Sequence, residues 1–221
     1  MTGQACGVSP AVSLSAPSAA DAAEFIAAAR ASVALQQPWV SAPDTPERYA
    51  AFLARADRED QASYLVRHAE CGELAGYVNI NNIVRGARRS GYLGYAAFAS
   101  HAGRGIMTAG LRAVVSDAFA GLGLHRLEAN IQPDNTPSLR LVQRLGFRRE
   151  GYSPRYLMVD GDWRDHERWA VLAEDWPSGD RPSGDREPGR REPGRREPGH
   201  REPAPSAVLA RLTASDLGER R

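Results

Sequence analysis

Two glycines, Gly103 and Gly105, stand immediately before the clearest amphipathic helix that the sequence predicts. Within 107–122 apolar residues recur at helical spacing, and Gly121 and Gly123 end the pattern. Because glycine lacks a Cβ atom, the backbone N–H groups of such a turn can approach an anion closely at the helix N-terminus. The pattern therefore predicts a turn and helix that bind a phosphate-bearing ligand. The apolar positions are Met107, Leu111, Val114, Val115, Ala118, Phe119 and Leu122.

A glycine turn of this kind also occurs as a plain connection between a strand and a helix, so the surrounding residues must decide. A P-loop needs a lysine for the β- and γ-phosphates, and all 28 basic residues of this chain are arginines. The dinucleotide fingerprint needs a third glycine where this sequence has Thr108. The sequence thus excludes a P-loop, a lysine Schiff base and a Rossmann dinucleotide site.

The predicted elements follow the order β-α-α-β-β-β-α-β-α-β-β, an α+β plan around one mixed, mostly antiparallel sheet flanked by helices. The first helix is expected to bury Phe25, Ile26 and Val33, and the last to begin at a Thr136 cap and end at Gly146. The other two predicted helices span 46–55 and 107–122. The predicted strands span 12–14, 63–67, 74–83, 91–98, 125–131, 155–159 and 166–172.

The segment 177–221 is rich in arginine, glutamate, proline and glycine and repeats a five-residue unit at 186–190, 191–195 and 196–200. With almost no apolar side chains to bury, it is predicted to be a disordered tail. A solvated tail is the favoured interpretation, and weak docking to RNA or another acidic partner is the alternative. The net charge of +1 gives no large basic face, so no direct nucleic-acid role is expected.

The two cysteines, Cys6 and Cys71, imply neither a disulfide framework nor a zinc site, and no metal is expected. No apolar run approaches the length of a membrane span, and the N-terminus lacks the pattern of a signal peptide. These observations predict a soluble protein of the cytoplasm.

Five segments resemble, in order, motifs of the GNAT superfamily of acyl-CoA N-acyltransferases, in particular the branch of bacterial ribosomal-protein alanine N-acetyltransferases. They are His-Ala-Gly-Arg-Gly-Ile-Met at 101–107, His-Arg-Leu-Glu-Ala at 125–129, Asn-Thr-Pro-Ser at 135–138, Leu-Gly-Phe-Arg-Arg-Glu-Gly at 145–151 and Trp-Arg-Asp-His at 163–166. The resemblance covers roughly residues 9–176. It implies a GNAT-like α+β domain at 9–176, followed by the tail at 177–221.

The resemblance implies that acetyl-CoA, the acyl donor, lies in a cleft between the strand that ends near Phe98 and the strand around Glu128. Its pyrophosphate would bind the backbone of the glycine turn. Ala102 and Met107 depart from the superfamily pattern, but backbone donors do not depend on those side chains. The residues expected to bind the donor are Ala97, Phe98, Gly103, Arg104, Gly105, Ile106, Met107, Thr108 and Asn135.

The same resemblance implies that Glu128 is a general base and that Ser138 stabilises the departing thiolate. Structural roles are the alternative, with Glu128 in a salt bridge and Ser138 as a polar residue of the first helical turn. Where some relatives have a tyrosine acid, this sequence has Val142, which leaves Ser138, Tyr156 or water for that role. With no cysteine in the motifs, direct attack of the amine on the thioester is expected, without an acyl-enzyme.

The acceptor expected from the resemblance is the N-terminal α-amine of a protein such as a ribosomal protein. A small amine (an antibiotic, a polyamine or an amino acid) is one alternative, and a non-catalytic acyl-CoA sensor is another. Tyr95 and His101 border the expected cleft but are interpreted as structural, and His166 is expected to make a local hydrogen bond. Trp39 is interpreted either as a wall of the acceptor pocket or as core.

Overall fold

Seven strands form a single sheet in a computed structural model that describes residues 11–177. The strand order is β1-β2-β3-β4-β5-β7-β6, and every neighbouring pair is antiparallel except β4 and β5. The mixed, mostly antiparallel sheet predicted from the sequence is confirmed. The strands are β1 (Val12–Ser15), β2 (Ala62–His68), β3 (Leu74–Val84), β4 (Ser90–Ala97), β5 (Arg126–Ile131), β6 (Arg148–Val159) and β7 (Asp162–Leu172).

Helices cover both faces of the sheet. They are α1 (Ala22–Ala31), α2 (Val33–Gln36), α3 (Pro46–Ala56), α4 (Ile106–Ala120) and α5 (Thr136–Arg144). On one face, Phe25 of α1 and Phe52 of α3 stack 5.6 Å apart in an aromatic core. On the other face, α4 and α5 pack against β3 and β5 around Leu111, Val142 and Leu127. The two cores place the sheet between two helical layers.

The strong apolar stripe of α4 explains its place in the core. Leu111, Val114 and Val115 are fully buried, as the sequence predicts. The helix begins after Gly105, whose φ of 78° is left-handed, and continues to Ala120. Its N-terminus is therefore set by a backbone conformation that glycine adopts without strain.

The parallel pair β4 and β5 separates part of the way along its length. Pairing runs from Ser90 with Arg126 to Leu93 with Ala129 and then stops, although β4 continues to Ala97 and β5 to Ile131. The unpaired ends leave a gap in the middle of the sheet. This gap is where the chain can admit a ligand between two strands.

Several local predictions were wrong. Val33 is not part of the first helix, which ends at Ala31, and its side chain is 40% exposed. The cap of α5 is Asn135 rather than Thr136, because the Asn135 side chain accepts the Ser138 N–H at 3.2 Å. Cys71 is disulfide-bonded, although the sequence implied no disulfide framework.

The strands β6 and β7 are longer than predicted, with 12 and 11 residues. They join at Asp160 and Gly161, both of which have positive φ, as the predicted hairpin requires. No helix among residues 11–177 is long and apolar enough to cross a membrane. The predicted tail and Cys6 lie outside the described residues, apart from Pro177.

Candidate active site

Two cavities open at the gap between β4 and β5. The larger has a volume of about 490 Å³ and reaches the β6–β7 hairpin, while the smaller, of about 150 Å³, reaches α2, α4 and α5. They share five lining residues, which therefore lie where the two spaces meet. The shared residues are Trp39, Val40, Tyr95, Asn135 and Ser138.

The larger cavity has a polar wall without charge. Neutral amides line it from β3, β5 and the segment after β5, and none of its described lining residues is acidic or an arginine. The Oδ1 atom of Asn130 is buried without a hydrogen-bond partner, so one acceptor oxygen is unsatisfied here. The amides are Asn81, Asn82, Asn130, Gln132 and Asn135.

The smaller cavity is mainly apolar. Met107 of α4 and Leu141 of α5 line it opposite Ala97 of β4. The Ala97 carbonyl accepts a hydrogen bond of 2.9 Å from the buried Gln36 side chain. This cavity therefore suits a narrow, largely apolar ligand arm.

A hydrogen bond joins the two cavities. The hydroxyl oxygens of Tyr95 and Ser138 lie 2.5 Å apart, Tyr95 on β4 and Ser138 in the first turn of α5. Burial raises the pKa of Tyr95 to about 12, so its hydroxyl stays protonated at physiological pH. The pair offers hydroxyl protons at the point where the spaces meet.

The glycine turn lies at the N-terminus of α4. Gly103 and Gly105 have φ of 76° and 78°, and a Cβ atom at either would meet no protein atom within 4 Å. The first N–H groups of α4, on Ile106, Met107 and Thr108, have no partner within the helix. An anion can therefore approach a set of unpaired donors from open space.

Of the other residues predicted to bind the donor, Arg104 and Asn135 are accessible to a ligand and Phe98 is not. Arg104 is exposed on the turn, beside the glycines. Phe98 is 1% exposed and belongs to the aromatic core, and its N–H already donates to the Ala75 carbonyl. Asn135 lines both cavities, but its Oδ1 is used as the cap of α5, which leaves its amide nitrogen for a ligand.

Glu128 lies outside the residues that line either cavity. Its carboxylate accepts a hydrogen bond of 2.9 Å from Arg126, as in the salt bridge weighed from the sequence. The residue of β4 that pairs with Glu128 is Tyr92, which lines the larger cavity. The described contacts place the carboxylate beside the cavity wall and hold it with a guanidinium.

Two further residues noted from the sequence, His166 and Trp39, line the larger cavity. His166 is buried, and its Nδ1 lies 3.0 Å from the Arg164 carbonyl oxygen, which confirms the predicted local hydrogen bond. Trp39 lines both cavities. His101, in contrast, pairs with Glu73 at 3.0 Å and stacks on His68, away from both cavities.

From the sequence, Tyr95 and His166 are both interpreted as structural, because their importance depends on which strands come together. Tyr95 belongs to an alternating strand pattern, and His166 is a lone histidine. The sequence spacing of Tyr95 and Ser138 is 43 residues, so their contact is visible only in the fold. Among residues 11–177, no group of three or more histidine, cysteine, aspartate or glutamate side chains could hold a metal ion.

Comparisons with known proteins identify the family and the fold. The family model described as "Acetyltransferase (GNAT) domain" matches residues 12–148, which is more than half of the chain. The [Ribosomal protein uS5]-alanine N-acetyltransferase of Escherichia coli is 40% identical over 107 residues, or 48% of this chain. The match spans only about half of that relative, 55% of its length.

Solved structures share the fold. Mycobacterium smegmatis RimJ in complex with CoA-disulfide has a TM-score of 0.68 and 33% identity, covering 75% of this chain and 84% of that one. A spermidine N-acetyltransferase SpeG chimera from Vibrio cholerae and hSSAT has a TM-score of 0.63 and 19% identity, covering 74% and 96%. At that identity the second likeness concerns the fold alone.

Proposed function

The chain belongs to the GNAT family of acetyltransferases, and from this premise we propose that it acetylates the N-terminal α-amine of a protein, such as a ribosomal protein. The acetyl donor is acetyl-CoA, as in the family. The observation that carries the proposal is the meeting of an apolar and a neutral polar cavity at Tyr95 and Ser138. The smaller, apolar cavity takes the arm of acetyl-CoA that carries the thioester, and the larger, polar cavity takes the acceptor.

The donor fits the residues that are present. The pyrophosphate binds the free N–H groups at the start of α4, in front of Gly103 and Gly105. From there the apolar cavity beside Met107 and Leu141 leads to Ser138. This path brings the thioester to the gap between β4 and β5, so the carbonyl carbon faces the larger cavity.

The neutral wall of the larger cavity favours an acceptor with one amine over a polyamine. A polyamine carries further positive charges, which need carboxylates or similar partners when they leave water, and no described lining residue supplies one. An N-terminal residue instead carries peptide groups beside its amine, which suit the amide side chains around Asn130. The name of the E. coli relative, [Ribosomal protein uS5]-alanine N-acetyltransferase, states an alanine of a ribosomal protein as its acceptor, which supports a protein acceptor here.

The free energy needed to deprotonate the acceptor also favours an α-amine. Deprotonating an α-ammonium with a pKa of about 8 at pH 7 requires about 1 kcal/mol, whereas a lysine ammonium near 10.4 requires between about 4 and 5 kcal/mol. A single weak base can therefore prepare the α-amine. Holding amine and thioester together supplies several kcal/mol more.

The reaction is a direct transfer. The amine lone pair forms the C–N bond as the C–S bond breaks, and one N–H proton leaves the nitrogen to a base. The sulfur receives a hydroxyl proton from Ser138, which Tyr95 resupplies through their shared hydrogen bond. Glu128 as the general base stays a prediction. Its contact with Arg126 and its place outside the cavity lining give it no direct path to the amine.

The test is the release of free CoA from acetyl-CoA with a panel of acceptors. We expect turnover with peptides that have a free N-terminus, none with the same peptides blocked at the N-terminus, and little with spermidine. Turnover with spermidine or an aminoglycoside but not with peptides would establish the small-amine alternative. Acetyl-CoA binding without turnover of any amine would establish the sensor.

We further propose that residues 9–176 form the catalytic domain, that 177–221 is a tail dispensable for chemistry, and that the enzyme acts in the cytoplasm, where ribosomal proteins are available. A protein truncated after Trp176 tests the division. It should acetylate the best peptide at the rate of the full chain.

A further inference from the structure

A buried histidine forms part of the wall of the acceptor cavity. His166 lies on β7, is 4% exposed and lines the larger cavity beside Tyr156, whose ring centroid is 6.2 Å from its own. The side chain is therefore shielded from bulk water and adjacent to the acceptor.

The hydrogen bond of His166 determines which ring nitrogen carries the proton. Nδ1 lies 3.0 Å from the carbonyl oxygen of Arg164, and a carbonyl oxygen can only accept, so Nδ1 is the donor. The neutral ring then has its lone pair on Nε2. Among residues 11–177, no side chain or backbone group is hydrogen-bonded to this Nε2 atom.

The strand register places His166 at the open end of the gap. Ile131, the last residue of β5, pairs with Glu167, so His166 lies one step beyond β5. Tyr95 lies two residues beyond the last β4–β5 pair, at the same end. Glu128 pairs with Ala170, four residues further along β7 than His166, or about 13 Å away at the usual strand rise.

We infer that His166 is the catalytic base that accepts the proton of the acceptor amine through Nε2. The inference rests on the proposed function. As the neutral amine forms the C–N bond and the C–S bond breaks, one amine proton moves to Nε2. The sulfur takes the Ser138 hydroxyl proton, and the proton on His166 then returns through solvent to the Tyr95–Ser138 pair. The products are the N-acetyl amide and CoA as a thiol.

The groups around His166 support a neutral ring. Burial lowers its pKa, while the Arg164 carbonyl and the charge of Asp165 oppose that shift only in part. On β6, Tyr156 is the titratable neighbour, and burial raises the pKa of its hydroxyl. Beyond Tyr156 lie Tyr92 on β4, Glu128 on β5 and Arg168 on β7.

The first arm of the test compares pH–rate profiles. His166→Asn retains an amide N–H for the Arg164 carbonyl but removes the base. We expect kcat at pH 7 to fall about 100-fold or more, with less than a twofold change in the Kd of acetyl-CoA. In the wild type, kcat should fall as the pH drops below the ordinary histidine range, and this acid limb should be absent from His166→Asn.

Two comparison variants sharpen this arm. His125→Asn removes a half-exposed histidine that contacts Glu174 away from the cavities, and it should keep the wild-type rate. Glu128→Gln should keep the acid limb. A wild-type kcat for His166→Asn at every pH, or loss of the limb in Glu128→Gln alone, would overturn the inference.

The second arm needs no turnover. ¹⁵N NMR of histidine-labelled wild-type protein, assigned against His166→Asn or, if that variant does not fold, His166→Gln, should show His166 protonated at Nδ1 and titrating below the ordinary histidine pKa. Protonation at Nε2 at pH 7 would contradict the inference. If no peptide is acetylated but another amine is, the proposed acceptor is wrong. The pH–rate comparison is then made with that amine, so failure of the proposed acceptor can be distinguished from failure of the His166 inference.

Discussion

The hydroxyl groups of Tyr95 and Ser138 lie 2.5 Å apart across the gap where β4 and β5 separate. One hydroxyl comes from the middle of the sheet and the other from the first turn of α5, so each cavity reaches the same hydrogen bond. Since the pKa of Tyr95 is raised to about 12, its hydroxyl is still protonated when the reaction begins and can pass its proton to Ser138 as the Ser138 hydroxyl donates. The pair therefore acts as one proton source.

Tyr95→Phe removes the distal hydroxyl and keeps the ring. We expect kcat to fall about tenfold, because Ser138 loses the group that resupplies its proton, with little change in the Kd of acetyl-CoA. The wild-type kcat should show no alkaline limb below about pH 10, since Tyr95 does not ionise there. Stopped-flow CoA release measures both. An unchanged kcat in Tyr95→Phe would show that the Tyr95 hydroxyl does not take part in the reaction.

Ser138→Ala removes the proximal hydroxyl. The expected loss of kcat is larger than for Tyr95→Phe and extends across the whole pH range, because the thiolate loses its direct donor at every pH. The double variant should be no slower than Ser138→Ala, since both changes interrupt one path. A double variant whose losses multiply would show that the two hydroxyls act separately.

The parts of the site that neighbouring residues encode can be predicted from the sequence, and the parts that depend on strand pairing cannot. The glycine turn, α4 and the Asn135–Ser138 segment are encoded within a few residues, and the sequence predicts them, although the cap of α5 shifts from Thr136 to Asn135. Tyr95 and His166 acquire their positions from strand pairing across the whole chain. Without the order of β4, β5 and β7, the sequence assigns neither residue more than a structural role.

The fold divides in the same way. Alternating and helical periodicity predicts the elements and the mixed sheet, but not where they end. Val33 follows the apolar spacing of α1, yet the helix ends at Ala31, because Ser32 leaves helical geometry and bonds back to the Ala28 carbonyl at 2.6 Å. Similarly, β6 extends back to Arg148 because Arg148 and Arg149 pair with Ala170 and Trp169 of β7, before a register shift between Arg149 and Gly151.

Gly105→Ala tests the proposed pyrophosphate site. Alanine at a φ of 78° is strained, and its methyl group enters the open space before α4, so we expect at least a tenfold weaker Kd for acetyl-CoA, about 1.4 kcal/mol. Gly123→Ala is the matched control, with a φ of 66° and equally open surroundings. Both variants should lose similar thermal stability, and calorimetry should find weaker donor binding only in Gly105→Ala. Equal affinities of the two variants for acetyl-CoA would show that the pyrophosphate does not bind beside Gly105.

Trp176 sets the end of the folded core. Its indole N–H donates to the buried Ser116 hydroxyl at 2.9 Å, and its ring lies 6.2 Å from that of Phe119. Trp176→Ala should therefore lower the free energy of unfolding by about 3 to 5 kcal/mol, measured by urea denaturation. The exposed Trp163 is the control, for which the same change should cost less than about 0.5 kcal/mol.

Asn130→Leu tests the contact proposed for the acceptor. The Asn130 side chain lines the larger cavity, and its Oδ1 atom is buried and unpartnered, so we expect this oxygen to turn into the cavity and accept a hydrogen bond from an N–H group of the acceptor. Removing it should raise the peptide KM about tenfold with little change in kcat or in the Kd of acetyl-CoA. The melting temperature should not fall, because the change removes an unsatisfied polar group. Asn79→Leu is the matched control, since its Oδ1 is also buried and unpartnered but lines a separate cavity beside Arg48 and Phe52. If both variants keep the wild-type peptide KM, the acceptor does not contact Asn130.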